Sequence, residues 1–170
     1  MNGIIDQFIE YLRHHQCEEQ SYEDINALVA EVVQSELKHQ RVITFESNPN
    51  LGNIPISSVA IKRVVTNMIE NALRYSQGDI EVQSYFNSNK KYVIIAVNDN
   101  GPGIPESELE SVFEPFKQGD AARGSEGSGL GLAIIKRIID MHNGKVVLSN
   151  RPEGGLSAQI YLPVKVVNQN

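Results

Sequence analysis

A chain of 170 residues with 41% hydrophobic and 21% charged side chains can bury one domain core and is too apolar to stay disordered. Its net charge of −6 argues against a nucleic-acid partner, although a small basic pocket stays compatible with it. Cys17 is the only cysteine, which excludes an internal disulfide, disfavours a cysteine-built zinc site and suits a reducing compartment.

In chain order, Ile4, Ile5, Phe8, Tyr11 and Leu12 recur at three-to-four spacing, the apolar stripe of a helix end that needs a neighbour from outside the chain. A polar link over 16–20 leads to a second helix, expected over 21–40 with Asp24 placed as a capping-box acid. Residues 41–46 alternate like a strand, and Asn48-Pro49-Asn50 breaks it. Ser57 or Ser58 caps a long helix reaching about residue 76. Residues 79–86 and 91–97 read as strands joined across 87–89, followed by a turn over 99–105 and a short helix over 106–112. Residues 114–128 are polar, small and glycine-bearing. A helix over 129–142 ends at Asn143-Gly144, and 145–150 with 156–163 forms a hairpin.

No apolar stretch, 93–97 among the longest, approaches the length of a bilayer span, and the N-terminus lacks a secretory pattern. Any membrane attachment is expected outside this chain. Helices and strands mix without βαβ alternation, which predicts an α+β fold: a two-layer α/β sandwich rather than a doubly wound sheet.

Three segments carry chemistry. On the helix over 57–76, Ile61, Val64, Val65, Met68, Ile69 and Ala72 form one face, with Asn67, Glu70, Asn71 and Arg74 on the other. Asn67, Asn71 and Arg74 fall within about 60° in projection, Asn71 nearest the apolar edge. This is either a solvated face or a metal–phosphate site, since magnesium takes oxygen ligands and shares its shell with water and phosphate. An amide oxygen at Asn71 would be one such ligand, and Arg74 could meet phosphate.

The second segment is Asp99-Asn100-Gly101-Pro102-Gly103-Ile104-Pro105. It reads as a hairpin turn, or as a place where Gly101 and Gly103 let backbone approach a flat ligand while Asp99 accepts from an exocyclic amine. Pro102 and Pro105 oppose the plain hairpin.

The third runs from Gly124 through Gly127-Ser128-Gly129-Leu130-Gly131-Leu132 into a helix. It is a flexible linker or an anion cradle of free N–H groups at a helix start. It matches neither a P-loop, which needs Lys-Ser/Thr, nor a dinucleotide fingerprint, which needs a strand before it. Upstream, Phe113 and Phe116 flank Glu114-Pro115, as core aromatics or as the anchor of a lid over a nucleotide.

In this order and spacing the motifs resemble the catalytic ATP-binding domain of sensor histidine kinases, within the Bergerat-fold family of gyrase, Hsp90 and MutL ATPases. Asn67-Met-Ile-Glu70-Asn71-Ala-Leu-Arg74-Tyr75 looks like the N box and Asp99-Asn-Gly101-Pro-Gly103 the G1 box. Phe113-Glu-Pro-Phe116 looks like the F box and Gly127-Ser-Gly129-Leu-Gly131-Leu the G2 box. Gly154-Gly155-Leu-Ser157 matches the last glycine element near the adenine. The resemblance covers residues 21–163, and the segments around Arg74-Tyr75, 119–123 and the final hairpin look like the osmosensing EnvZ type.

The resemblance implies a mixed, mostly antiparallel sheet on about three helices with a flexible lid, binding ATP and Mg2+. It implies Asn71 as the magnesium ligand, Asn67 assisting through water, Arg74 on phosphate and Tyr75 over adenine. Asp99 would read the adenine amine, with Gly101, Gly103, Ile104, Phe113, Phe116 and Ser157 around the nucleotide. Gly127, Ser128, Gly129, Leu130, Gly131 and Leu132 would surround its phosphates.

Related ATPases carry a water-activating glutamate where this chain has Asn67, and an amide is no general base. Transfer to another nucleophile is therefore expected over hydrolysis, with Glu70 a second candidate acid. The acceptor motif of such kinases, like His-Glu/Asp-Leu-Arg-Thr-Pro, does not occur here, and His14 and His15 read as exposed helix-end residues.

The expected organisation is 1–17 as the end of a dimerisation helix with its linker, 18–165 as the catalytic domain and 166–170 as a tail. Expected partners are a histidine-bearing dimerisation domain and a response regulator, in the cytoplasm beneath a membrane-anchored parent. A self-contained ATPase and a non-catalytic nucleotide-binding module are the competing readings.

Overall fold

A computed structural model describes residues 20–37, 40–113 and 131–166. Its main sheet has five strands in the order β2-β4-β5-β7-β6: Ile43–Ser47 (β2), Ile80–Phe86 (β4), Tyr92–Asn98 (β5), Lys145–Asn150 (β6) and Leu156–Pro163 (β7). Only β2 and β4 run parallel; the other neighbours are antiparallel. A second, two-stranded sheet pairs Ser21–Asp24 (β1) with Asn53–Ile56 (β3). The helices are Ile25–Glu36 (α1), Ser58–Tyr75 (α2) and Gly131–Met141 (α3).

One face of the main sheet meets the helices. Val82, Val93, Ile95, Val97, Ile160 and Leu162 join Val29, Ile61, Val65, Ile69, Ile134 and Ile138 in a single buried cluster. The period of two along β5 and of 3.6 along α2 aims these residues at one another. This is the α+β two-layer sandwich that the mixed pattern of elements implies.

The early helix differs from expectation. Residues 21–24 form β1, whose backbone pairs with β3, so α1 starts at Ile25. Asp24 is its N-cap, accepting the N–H of Ala27 at 3.1 Å, rather than an acid inside the first turn. The short helix over 106–112 is instead two 3-10 turns, Glu106–Glu108 and Ser111–Phe113. The end of α3 follows the sequence: Asn143 takes φ 60° and Gly144 N–H returns to Ile139 O at 3.0 Å.

Candidate nucleotide site

The long α2 carries the first polar cluster because its apolar stripe pins the opposite flank beside the core. Ser57 caps its start, accepting from Ala60 N–H at 3.4 Å, and Ala60, Ile61, Val64, Val65, Met68, Ile69 and Ala72 are buried. Asn67, Glu70 and Asn71 are half-buried and Arg74 is exposed, its guanidinium 5.9 Å from the Tyr75 ring centre. Asn71 faces Gly131, the first residue of α3. A Cβ built on Gly131 would stand 3.8 Å from both Nδ2 and Oδ1 of Asn71. The amide of one helix thus confronts the first described turn of another across an open gap.

The end of α2 is tied to the acid-bearing loop. A side chain on Gly101 would collide with the Tyr75 carbonyl, and Gly78 N–H donates to Asn100 Oδ1 at 3.2 Å. Asp99 is 6% exposed, and its Oδ1 accepts the N–H groups of Gly101 (2.8 Å) and Leu156 (3.2 Å). None of the described residues hydrogen-bonds its second oxygen, Oδ2. Gly155, at φ +99°, packs so closely on the Asp99 backbone that no side chain fits.

The structure therefore brings Asn71, Tyr75, Asp99, Gly101 and Gly131 into one connected region, with Gly103, Ile104 and the half-buried Leu132 beside it. Phe113 ends a 3-10 turn that packs on α3. Phe116, Gly127, Ser128, Gly129, Leu130 and the expected lid over 117–128 lie outside the described residues. So do His14, His15 and the expected dimerisation segment.

Ser157 is not brought to this region. It pairs across the strands with Asn98, and its Oγ accepts from Gln159 Nε2 at 3.3 Å. That places it on the sheet face opposite the helices, because successive strand residues alternate sides while Asp99 shares the face of Val97.

Several contributors escape the sequence reading. The guanidinium of Arg41 donates to the carbonyls of Leu73 (3.1 Å), Ser76 (3.1 Å) and Gly78 (2.7 Å), capping the C-terminus of α2 with charge of the favourable sign. Arg151 and Asn150, at the end of β6, bond the backbone of the Asp99 loop. Each acts on main-chain groups distant in sequence, so no local motif marks it.

Comparisons with known proteins agree with this architecture. The model of the histidine kinase-, DNA gyrase B- and HSP90-like ATPase family matches residues 56–166. Sensor protein kinase PmrB of Pseudomonas aeruginosa is 35% identical over 141 residues, 81% of this chain and 30% of its own length. Sensor histidine kinase CpxA of Escherichia coli (strain K12) is 42% identical over 107 residues, 62% of this chain and 23% of its own. The solved histidine kinase domain of the E. coli osmosensor EnvZ superposes with a TM-score of 0.69 at 38% identity, covering 91% of this chain and 95% of that one.

Fold and site thus define an ATP-binding domain of the gyrase and HSP90 kind. The chain belongs to the histidine kinase-, DNA gyrase B- and HSP90-like ATPase family, as the catalytic ATP-binding domain of a two-component sensor histidine kinase. It spans under a third of PmrB and of CpxA. No helix among the described residues is long and apolar enough to cross a membrane.

Proposed function

We propose that the chain holds magnesium ATP between α2, the 99–104 loop and the start of α3, and presents the γ-phosphoryl group to a histidine of a separate dimerisation domain. The observation that carries this reading is the Asn71 amide facing the first residue of α3 across a gap that a glycine leaves open. Asn71 would give magnesium a neutral oxygen ligand, with Asn67 assisting through water. Arg74 would meet phosphate, and Tyr75 would cover the adenine whose amine Asp99 accepts.

The donor set suits magnesium. No group of three His, Cys, Asp or Glu that could hold a metal occurs among the described residues. A cation shared among one amide, waters and phosphate oxygens fits such a site better than one caged by protein. Once bound, it would neutralise phosphate charge while Gly131 and Leu132 would offer backbone N–H donors to the phosphates.

In the transfer, the bond from the γ-phosphorus to the β–γ bridging oxygen breaks as one forms to an imidazole nitrogen, and ADP departs. Asn67 cannot take a proton from water, which favours this route over hydrolysis; Glu70 is the second candidate acid. Residues 1–17 would then end a dimerisation helix, 18–165 form the catalytic domain and 166–170 a tail. A response regulator would receive the phosphoryl group in the cytoplasm, beneath a parent anchored in the inner membrane. The residues around Arg74-Tyr75, 119–123 and the final hairpin support assignment to the EnvZ type, whose solved domain is 38% identical.

Calorimetric titration of ATP with and without magnesium tests binding, and adding a histidine-bearing dimerisation domain tests transfer. The expected result is magnesium-dependent binding and acid-labile phosphohistidine on the partner. Phosphate release by the chain alone would instead favour a self-contained ATPase. Absence of any adenine-nucleotide binding would remove the kinase reading.

A further inference from the structure

Two adjacent residues at the end of β6 hold both ends of the loop that carries Asp99. Arg151 Nη1 donates to the Asp99 carbonyl at 2.6 Å, while its Nη2 is paired with Glu153 Oε2 at 3.0 Å. Asn150 takes the other end: its Nδ2 donates to Ile104 O at 2.7 Å and its Oδ1 accepts Ile104 N–H at 2.9 Å. The Asn150 amide thus engages Ile104 on both backbone groups, as a neighbouring strand would. Gly103, at φ +75°, makes room for it, since a side chain there would collide with Asn150 Oδ1.

These contacts surround a carboxylate whose two oxygens differ. Oδ1 is spent on the N–H groups of Gly101 and Leu156, and Oδ2 is left for something outside the described residues. An acceptor distinguishes an amine from a carbonyl only when its position is fixed, because hydrogen bonds weaken steeply with misalignment. Leu156 at the start of β7 and Gly155 just before it pack on Asp99, yet the loop that follows Asp99 has its far anchor at Asn150.

We infer that Asn150 and Arg151 are specificity-determining positioning residues: they hold the 99–104 backbone so that Asp99 Oδ2 selects a purine bearing an exocyclic amine at the adenine position. The inference rests on the reading of Asp99 as the base acceptor. It assigns to the β6–β7 hairpin a part in choosing the base, separate from phosphate binding near Asn71 and Gly131.

The test titrates ADP, GDP and inorganic tripolyphosphate, each with magnesium, into the 170-residue chain and its variants. The double variant Asn150→Ala/Arg151→Met should lose roughly tenfold in its preference for ADP over GDP, the equivalent of one hydrogen bond to a charged group. Its tripolyphosphate affinity should not move. Arg151→Lys, whose ammonium can still donate to the Asp99 carbonyl, should keep most of the preference, which a purely structural loss would not predict.

An unchanged ADP/GDP ratio in the folded double variant overturns the inference, as does a parallel fall in ADP and tripolyphosphate affinity. If the double variant does not fold, Asn150→Ala and Arg151→Met are measured singly, and wild-type ratios in both overturn it equally. Failure of the unmodified chain to bind ADP is a different outcome: it removes the nucleotide reading itself, and this inference with it.

Discussion

His142 accepts the backbone N–H of Ser57 through Nε2 at 3.0 Å and sets Nδ1 2.8 Å from the carbonyl of Ile138. Nε2 can accept only without a proton, so the ring is neutral and Nδ1 carries the hydrogen. This buried contact joins the residue after α3 to the N-cap of α2, the two helices whose ends frame the candidate site. His142→Ala removes the acceptor in a buried setting and should cost about 1–3 kcal/mol. Urea unfolding should show a lower midpoint with an unchanged slope. A loss within about 0.5 kcal/mol, the range of ordinary surface changes, would mean the tie contributes nothing.

Gly131→Ala separates site from fold. The added methyl would meet the Asn71 amide at 3.8 Å, an ordinary contact, so none of the described residues has a steric reason to rearrange. Alanine is also a better helix former than glycine, by about 0.5–1 kcal/mol in a helix interior. Thermal stability should hold or rise. The methyl nonetheless enters the gap assigned to magnesium and phosphate, so ATP affinity in magnesium should fall at least about tenfold. Adenosine affinity should change little. Calorimetry on both ligands checks this, and equal losses for the two would detach Asn71 and Gly131 from phosphate.

How much of this was legible in the sequence depends on how far each residue reaches. The apolar stripe of α2 and the alternation in β5 are local, so those elements follow from pattern, and Asn71 and Asp99 stand out as polar residues beside apolar runs. β1 was not legible: Ser-Tyr-Glu-Asp has no apolar alternation and extends because β3 supplies its pairing. The contacts of Asn150, Arg151 and His142 span 46, 52 and 85 residues and end on backbone atoms, which carry no residue-type signature. The position of Ser157, off the face that carries Asp99, escapes the sequence for a related reason. The glycine element it follows points toward the loop, while strand parity turns the serine to the far face.

Asp99→Asn should change recognition more than folding. An amide oxygen can keep both bonds that Oδ1 now accepts, from Gly101 and Leu156, so the loop retains its internal ties. What changes is Oδ2, replaced by an NH2 that donates where the carboxylate accepted. An adenine amine would then meet a donor, and binding should weaken by about 1.5–3 kcal/mol, the range for a hydrogen bond to a charged group. A guanine nucleotide, with a carbonyl at that position, should lose less or gain. Competition titrations of ATP against GTP measure this directly. Equal weakening of both would show that Asp99 does not read the base.

The face of the sheet opposite the described helices carries a pH-dependent element of its own. Tyr85 and Tyr161 flank Ile94 in register across β4, β5 and β7, and Ile94 is only 4% exposed although no described helix lies over it. Burial, and then the neighbouring Tyr161 phenol, push the Tyr85 hydroxyl above its ordinary value of 10.0. The folded chain therefore keeps this proton when the unfolded chain has lost it. Wherever the unfolded state binds fewer protons, stability falls as pH rises. The contribution is fully present below the ordinary phenol value and fades as pH climbs through it. Tyr85→Phe removes the titrating group, so its unfolding free energy should decline less than that of the wild type between about pH 9 and about pH 11. Denaturant melts of the two proteins across that window check the sign, and parallel curves would show that Tyr85 ionises alike in both states.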